Sequence, residues 1–317
     1  MQKQVSICLA TFNGEKYLKQ QLDSILNQTY KNLHVVVQDD CSSDDTMAIL
    51  ESYKDRLEME IYQNHKNLGY IKNFEALIQK AKGDYITICD QDDIWDINKI
   101  EILVRNIEDK TLIYSNSMLI DENGNSMLKT LSKKLKNRFI DSNTALNFLY
   151  DNCVSAHAVL FKKELLPYIK DFPKTIYFDN YIAAIASSLY GIKYIDKNLV
   201  LYRQHSSNTL GNKTKAKTDV KKRILSKVEK KDKEVDDIIL KIEEMLKIKI
   251  LKTDEKELLN QLHIYYKEYD ERWFNSEMFL FLLKNQDKLF AITKKNSFIL
   301  SLKKSIGKKL YKAVPIL

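Results

Sequence analysis

Glycine and proline are scarce in this sequence, which contains seven glycines and three prolines among 317 residues. This composition excludes collagen-like repeats, low-complexity segments and extended linkers. Neither GxGxxG nor GxxxxGK[ST] occurs in it, so the dinucleotide fingerprint and the P-loop are both absent. Any phosphate that the chain binds must therefore be held by basic side chains or by a metal ion, because no glycine-rich loop is available.

Cysteines are also few, and Cys8, Cys41, Cys89 and Cys153 are widely spaced with no CxxC pair. This spacing argues against the common zinc and thioredoxin-like sites and against a disulfide framework, and it favours buried thiols in a reducing compartment. No apolar run approaches the roughly 20 residues that cross a bilayer. The N-terminal Met1-Gln-Lys-Gln leads into a predicted strand and not into a signal-peptide core. We therefore predict a cytoplasmic protein, either free or peripheral on the inner face of the membrane.

The net charge of +8 predicts an anionic partner without choosing among nucleotide, nucleic acid and membrane. The length suits one large domain or two moderate ones. From Asn212 onward the composition changes to a lysine-dense run, followed by apolar residues at helical spacing. We therefore predict a first domain, residues 1–211, and a basic helical C-terminal region, residues 212–317.

The first part alternates short apolar strands with amphipathic helices. That order predicts an α/β fold in which a mostly parallel sheet carries helices on both faces. Ligands bind such sheets at the carboxyl ends of the strands. Two acidic clusters follow directly after predicted strands, namely Asp39-Asp40 and Asp90-Gln91-Asp92-Asp93. Both clusters are therefore candidate site residues.

The second cluster crowds three carboxylates into four residues. Such groups repel one another and are costly to desolvate, so a cation should accompany them. Mg²⁺ and Mn²⁺ prefer carboxylate oxygens and commonly bridge them to substrate phosphates. The alternative interpretation is an acidic turn that caps a helix starting near Trp95.

Five motifs occur in a fixed order in the first two-thirds of the chain. They are Thr11-Phe-Asn13, Asp39-Asp40-Cys-Ser-Ser-Asp44, Asn67-Leu-Gly69, Gly83-Asp-Tyr and Asp90-Gln-Asp92-Asp93-Ile-Trp95. In this order and at these spacings they resemble the family-2 glycosyltransferases, whose catalytic domain has the Rossmann-like GT-A fold. The resemblance extends from the N-terminus to about Gly211, and its acidic motif is most similar to bacterial rhamnosyltransferase-type members.

The resemblance implies a role for each matching donor-site residue. Asp40 matches the carboxylate that holds uracil or thymine, and Asp92 matches the direct metal ligand of the DxD motif. The others are Thr11 and Asn13 near the nucleotide, Asp90 as the first acid of the DxD motif, and Asp93 near the donor sugar. From the residues alone, Thr11 and Asn13 fit a polar turn and helix cap equally well.

Further residues follow from the same resemblance. Asp179 falls where the family has its catalytic base, although Phe178 replaces the His or Glu that many relatives have before it. The residues alone also allow Asp179 to be only the N-cap of an apolar helix. In Tyr-Arg203-Gln-His205, the resemblance implies a further metal ligand at His205 and a diphosphate contact at Arg203. The alternative for Arg203 and His205 is a solvated surface loop.

Three stretches remain open. His157 lies in a predicted strand, Val154 to Phe161, where a satisfied core histidine is the default interpretation. The lysine-rich residues Thr130 to Asn137 form a loop or short helix near the acceptor, or only a solvated basic face. The segment from Phe298 combines lysines with an apolar stripe, which fits interfacial membrane binding or packing on the catalytic domain.

These observations predict an inverting, metal-dependent glycosyltransferase. It would move a sugar from a nucleoside-diphosphate sugar, dTDP-rhamnose or a UDP-sugar, to a hydroxyl of a glycan or lipid-linked acceptor in cell-surface polysaccharide synthesis. A sugar nucleotidyltransferase usually opens with a glycine-rich basic phosphate loop, which Thr11 to Glu15 do not resemble. A non-catalytic scaffold or nucleic-acid binder rests on net charge alone, since no base-stacking aromatic motif accompanies the lysines. We therefore expect no nucleic-acid partner.

Overall fold

A computed structural model gives the backbone of residues 2–206 and 220–313, with side chains for residues 2–206 and 229–310. The predicted domain boundary at residues 211 and 212 lies outside the described residues, as does the start of the lysine-dense run. Of the helices that the structure describes, none combines the length and the hydropathy required to cross a bilayer.

One sheet contains the nine strands of the described residues. The first four strands alternate with helices, as the sequence predicts, because each apolar strand run is followed by an amphipathic stretch that covers the sheet. The strands are β1 Val5–Thr11, β2 Leu33–Asp39, β3 Met59–Gln63, β4 Tyr85–Cys89, β5 Ile94–Trp95, β6 Leu112–Ile120, β7 Ser126–Thr130, β8 Val159–Lys162 and β9 Ile192–Arg203.

The strand order is β3-β2-β1-β4-β8-β6-β9-β5, with β7 paired to β6 outside this path. Strands β3, β2, β1 and β4 are mutually parallel, so the carboxyl ends of β1, β2 and β4 meet at one edge. Strand β8 pairs antiparallel with both β4 and β6, whereas β6 and β9 are parallel. The predicted α/β sheet is therefore confirmed. Strand β8 lies between its parallel half and β6, and β5 and β7 also pair antiparallel with their neighbours β9 and β6.

Helices cover both faces of the sheet, and the C-terminal region is helical as predicted. The helices are α1 Glu15–Leu26, α2 Thr46–Glu51, α3 Tyr70–Ile78, α4 Lys99–Asn106, α5 Leu131–Leu135, α6 Phe178–Leu189, α7 Val220–Leu246, α8 Thr253–Lys267, α9 Ser276–Lys284, α10 Gln286–Leu289, α11 Ser297–Ser305 and α12 Lys308–Ala313. Short 3₁₀ helices span Ala145–Phe148, Ala156–Ala158 and Lys163–Tyr168.

The side-chain alternation of β1 divides the core between the two faces of the sheet. Ile7 and Leu9 pack on one face with residues of α1 and α4, whereas Cys8 packs on the other with residues of α3 and α6. This second cluster continues into α7 and α8, where Ile242 and Leu262 are fully buried. A strand that is buried on both faces needs a continuous apolar run, which explains the sequence of β1.

The structure corrects the predicted strand around His157. Residues Ala156–Ala158 form a 3₁₀ helix, and the strand begins only at Val159. The carbonyl of His157 accepts a hydrogen bond of 2.7 Å from the buried Lys99 ammonium. Because a side chain satisfies this carbonyl, the backbone at His157 needs no strand partner.

Candidate active site

A cleft of about 680 Å³ opens at the carboxyl ends of β1, β2 and β4. Seven of the nine predicted site residues line it, although they come from loops up to 194 positions apart in the chain. The juxtaposition follows from the parallel sheet, which brings successive strand ends to the same edge. These residues are Thr11, Asn13, Asp40, Asp90, Asp92, Asp179 and His205.

The loop after β1 is held against the loop after β2 by polar side chains. Thr11 Oγ1 donates a hydrogen bond of 2.8 Å to Asp39 Oδ1, and the Asn13 side chain accepts one of 2.9 Å from the Ser43 amide. Asn13 also has a positive φ of 45°. The N-cap of α1 is Gly14, with no side-chain capping bond, so neither Thr11 nor Asn13 caps that helix. Both residues shape the wall of the cleft.

Asp40 organises the Asn67-Leu-Gly69 motif. Its carboxylate accepts hydrogen bonds of 2.8 Å from the Leu68 amide, 2.9 Å from the Gly69 amide and 2.8 Å from Asn64 Nδ2. Gly69 adopts φ +82°, a conformation that favours glycine. Two motifs that are separate in the sequence thus form one corner of the cleft, with Asp40 and Gly69 both on its lining.

Gln91 is a site residue that sequence reasoning missed. Its side-chain oxygen accepts a hydrogen bond of 2.8 Å from the Phe12 amide, and its nitrogen donates one of 3.0 Å to the Phe12 carbonyl. A Cβ on Gly14 would lie 2.3 Å from the same Gln91 oxygen, so a larger residue there would displace the Gln91 side chain. Gln91 therefore fastens the β1 loop to the acidic motif. The polar residue inside an otherwise acidic cluster was the available signal.

Asp92 and His205 meet across the cleft. His205 Nε2 lies 2.9 Å from Asp92 Oδ2, and both side chains are mostly buried but line the cleft. The His205 ring also packs on the Tyr17 ring at 5.1 Å between centroids. The Asp92 carboxylate is the ligand type that Mg²⁺ and Mn²⁺ prefer, a neutral imidazole can also bind a transition metal, and Asp90 lines the same cleft.

Arg203 is 1% exposed and does not line the cleft, which excludes the alternative of a solvated surface loop for this residue. Its guanidinium donates to the Asp92 carbonyl at 2.8 Å, to the Glu122 carbonyl at 3.1 Å and to Gln20 Oε1 at 2.6 Å. It also stacks on the Tyr17 ring at 4.6 Å. Arg203 therefore holds the acidic loop from behind, in a position that the predicted diphosphate contact does not fit.

Asp93 is fully buried and does not line the cleft, so its predicted place near the donor sugar stays a prediction. Its Oδ1 accepts a hydrogen bond of 3.0 Å from the Arg203 amide, while Oδ2 has no hydrogen-bond partner. Burial, followed by the charges of Asp92 and Asp90, raises the pKa of Asp93 well above its usual value. The Asp93 carboxyl group links the acidic loop to β9, and the cleft is lined by the neighbouring Asp90 and Asp92.

Several buried titratable side chains lie behind the acidic motif. Ligand atoms of Asp90, Asp93 and His157 lie within 4.8 Å of one another. Burial, with repulsion from Asp92, raises the pKa of Asp90 to about 7, and burial lowers that of Lys99 to about 7. A carboxyl group with such a raised pKa ionises more readily beside an added cation, so the site fits a divalent metal.

His157 itself is a satisfied core histidine. Its Nε2 lies 2.9 Å from Ser117 Oγ, its ring stacks on Tyr202 at 4.3 Å, and only 4% of the residue is exposed. Burial lowers the pKa of His157 to about 3, so the imidazole is neutral at physiological pH. The rings of His157 and Tyr202 nevertheless line part of the cleft.

Asp179 lies opposite the acidic motif on the first turn of α6. The N-cap of that helix is Tyr177, so Asp179 lies in the first turn and is not the cap, which excludes the alternative interpretation of this residue. Its Oδ1 accepts a hydrogen bond of 2.7 Å from the Asn180 amide. Burial raises the pKa of Asp179 to about 6. A carboxylate of that basicity at the cleft surface can accept a proton at neutral pH.

The aromatic wall beside Asp179 was also missed. Tyr177, 60% exposed, and Phe178 both line the cleft, and the Phe178 ring stacks on Phe74 at 5.0 Å. Tyr70 approaches the Phe178 ring at 6.3 Å. Phe178 thus anchors the start of α6 through aromatic packing, at the position where relatives have a polar residue.

The comparisons with known proteins agree with this geometry. The model named "Glycosyl transferase family 2" matches residues 6–167. An uncharacterized glycosyltransferase of Rickettsia conorii is 36% identical over 39% of this chain, a match that spans 21% of its own length. An uncharacterized glycosyltransferase of Methanocaldococcus jannaschii is 30% identical over 63% of this chain and 70% of its own length. A Campylobacter jejuni protein named GalNAc(5)-diNAcBac-PP-undecaprenol beta-1,3-glucosyltransferase is 29% identical over 65% of this chain and 67% of its own length.

Solved structures show the same fold. S. aureus TarS in complex with UDP-GlcNAc matches with a TM-score of 0.59 and 19% identity over 94% of this chain and 81% of its own. The mannosyltransferase PcManGT from Pyrobaculum calidifontis, in complex with GDP-Man and Mn²⁺, matches with a TM-score of 0.52 and 15% identity over 96% and 75%. The predicted GT-A fold is thereby confirmed. With the family model covering more than half of the sequence, the chain belongs to glycosyltransferase family 2 and is a glycosyltransferase.

Proposed function

We propose that the protein transfers a sugar, with inversion, from a nucleoside-diphosphate sugar to a hydroxyl group of a glycan or lipid-linked glycan acceptor. The donor would be dTDP-rhamnose or a UDP-sugar, as the acidic motif suggests. The observation that carries this proposal is the arrangement of Asp40, the Asp92–His205 pair and Asp179 around one cleft. In this proposal the domain of residues 1–211 holds the site, and residues 212–317 support it as a helical appendage.

The donor half of the cleft supports nucleotide binding. Asp40 presents a carboxylate whose position is fixed by three hydrogen bonds, which suits recognition of the imino group of uracil or thymine. Asp92, His205 and Asp90 form the set that would hold Mg²⁺ or Mn²⁺. A divalent metal bound there supplies Lewis-acid stabilisation of the departing diphosphate. Two structures of similar fold support this set, since TarS is in complex with UDP-GlcNAc and PcManGT is in complex with GDP-Man and Mn²⁺.

The acceptor half supports a single displacement. The Asp179 carboxylate would accept the proton of the acceptor hydroxyl while that oxygen forms a bond to the anomeric carbon and the bond to the diphosphate breaks. Attack from the face opposite the leaving group inverts the anomeric centre. A positioned general base contributes typically about 10²- to 10⁴-fold to the rate. The exposed Tyr177 ring beside Asp179 offers an apolar face for an acceptor sugar.

We place the reaction in the cytoplasm, in the synthesis of a cell-surface polysaccharide. All four cysteines are free thiols in the structure, in keeping with a reducing compartment. The name of the Campylobacter jejuni relative describes a glucosyltransferase acting on an undecaprenol-linked glycan, which supports the lipid-linked class of acceptor.

A thermal-shift panel tests the proposal. UDP-, dTDP- and GDP-sugars, each with Mn²⁺ or with chelator, should be compared with a mixed oligonucleotide. Stabilisation by a UDP- or dTDP-sugar in the presence of Mn²⁺, and by neither GDP-sugars nor the oligonucleotide, is the expected result. A lack of stabilisation by every nucleotide sugar, or stabilisation by the oligonucleotide, would overturn it.

A further inference from the structure

Helix α11 turns three of its four large apolar side chains outward, whereas Leu300 packs against the core. Phe298, Ile299 and Leu302 are 54%, 49% and 40% exposed, whereas Ser301 and Ser305 on the opposite side are buried. The two buried serines donate hydrogen bonds to carbonyls one turn earlier in the same helix. An ordinary surface helix has the reverse arrangement, with its apolar stripe against the core. An exposed apolar face of this kind indicates a surface that binds another molecule.

The exposed apolar surface continues beyond α11. The Phe279 ring lies 5.3 Å from the Phe298 ring and 5.9 Å from the Phe274 ring, and Trp273 beside it is 55% exposed. A backbone hydrogen bond of 3.0 Å from the Gly307 amide to the Trp273 carbonyl ties this segment to the end of α11. We call the following residues the α11 patch: Trp273, Phe274, Phe279, Phe298, Ile299 and Leu302.

Lysines flank α11 on both sides. Residues 288–310 contain seven lysines and no aspartate or glutamate. Lys294 and Lys295 precede α11 and are exposed, and the exposed Lys303 follows Leu302. At the other edge of the patch, next to Trp273 and Phe274, charges of both signs are exposed: Glu271, Arg272 and Glu277. An apolar surface with lysines along its α11 side complements a surface that is apolar inside and anionic outside.

A second segment with the same character adjoins it. An antiparallel bridge joins Asn137 to Thr293, and the Arg138 amide donates a hydrogen bond of 2.6 Å to the Ile292 carbonyl. This pairing sets Lys136 opposite Lys294. The segment 126–138 contains five basic residues and no acid, and its Leu128 is 89% exposed.

The second segment also reaches the cleft. Lys134 Nζ donates a hydrogen bond to the side chain of Gln204, which precedes the cleft residue His205. One basic, apolar surface therefore leads from α11 along the hairpin of β6 and β7 to the mouth of the active site.

We propose that this surface docks on an anionic lipid bilayer, with the α11 patch inserted among the headgroups and the lysines against lipid phosphates. Docking in this way presents the mouth of the cleft to the membrane plane. Membrane binding and sugar transfer are separate properties of the protein, so failure of one in an experiment does not imply failure of the other.

Vesicle flotation tests the proposal. The whole protein should float with vesicles of one-third phosphatidylglycerol and two-thirds phosphatidylcholine, and should stay in solution with pure phosphatidylcholine. The triple variant Phe298→Ser, Ile299→Ser, Leu302→Ser should bind about 100-fold more weakly, because three side chains lose their burial among the headgroups. Lys294→Glu with Lys295→Glu should weaken binding at least about tenfold, since each lysine near an anionic surface contributes to attraction.

Leu240→Ser with Ile264→Ser is the matched control, because both side chains are exposed apolar residues of other C-terminal helices. This control should float like the wild type, and every variant should keep the wild-type melting temperature. Undiminished flotation of the triple variant, or no flotation of the wild type, would overturn the proposal. A further result would also overturn the proposal. If neither protein binds vesicles, and light scattering shows a dimer for the wild type but a monomer for the triple variant, a second copy of the chain covers the α11 patch.

Discussion

His205 Nε2 lies 2.9 Å from Asp92 Oδ2, although 113 positions separate the two residues in the chain. Strand β9 produces this contact, because it pairs with β5 directly after the acidic motif and so delivers His205 to the cleft. The same crossing buries Arg203 behind the motif. The geometry of the donor half therefore depends on β9 as much as on the acidic residues themselves.

Asp179→Asn should abolish sugar transfer while leaving nucleotide affinity within about twofold, because the amide cannot accept the acceptor proton. Nucleotide affinity by calorimetry and transfer by diphosphate release distinguish the two effects. The exposed Asp171→Asn serves as the control, since Asp171 does not line the cleft. Retained turnover in Asp179→Asn would remove this residue from the role of base.

The transfer rate should decline as the pH falls through about 6. Burial raises the pKa of Asp179 to about 6, and a general base acts only when it is deprotonated, so the active form is lost on the acid side. Below that point the rate should fall about tenfold per pH unit. The pH dependence of the transfer rate can be measured at saturating donor between pH 5 and 8, with circular dichroism as the check that the protein stays folded. A rate that is flat across this range would contradict the assignment of Asp179 as the base.

The stability of Asp179→Asn should depend on pH in a defined direction. A carboxyl group with a raised folded-state pKa costs stability when it is ionised, above about pH 6, and costs little near pH 4, where it is protonated in the fold. The variant should therefore melt at a higher temperature than the wild type at pH 8, with the difference vanishing near pH 4. A difference of equal size at both pH values would mean that charge burial is not its cause.

Arg203→Met should destabilise the fold by about 3–5 kcal/mol, because it leaves the Asp92 and Glu122 carbonyls without their buried donor. Denaturant unfolding measures the loss. Arg105→Met is the matched control: Arg105 is exposed in a surface ion pair with Glu101, so the change should stay within about 1 kcal/mol. Equal stability of the two variants would show that Arg203 does not support the acidic loop.

The sequence allows much of this architecture to be predicted, because apolar strand runs and the acids that follow them obey local rules. Asp40, Asp90 and Asp92 could be placed because a parallel sheet brings the ends of its strands together, whereas the places of Thr11, Asn13, Asp179 and His205 rest on the family resemblance. The burial of Asp93 and Arg203 could not be predicted, because it depends on the pairing of β9 with β5, about which neither segment carries a local signal. The sequence leaves open whether the apolar stripe of α11 meets a membrane or packs on the catalytic domain, because an amphipathic pattern does not say which side meets the core.

The central claim is that a nucleoside diphosphate binds through a metal held by Asp92 and His205. Calorimetric titration of UDP and dTDP into the wild type, Asp92→Ala and the exposed control Asp109→Ala, each with Mn²⁺ and with chelator, tests it most directly. Loss of a ligand or of its close partner typically weakens metal binding about 10- to 100-fold, so the metal-dependent gain in affinity should appear in the wild type and the control and vanish in Asp92→Ala. Equal affinity with Mn²⁺ and with chelator in the wild type, or an undiminished metal effect in Asp92→Ala, would contradict the account.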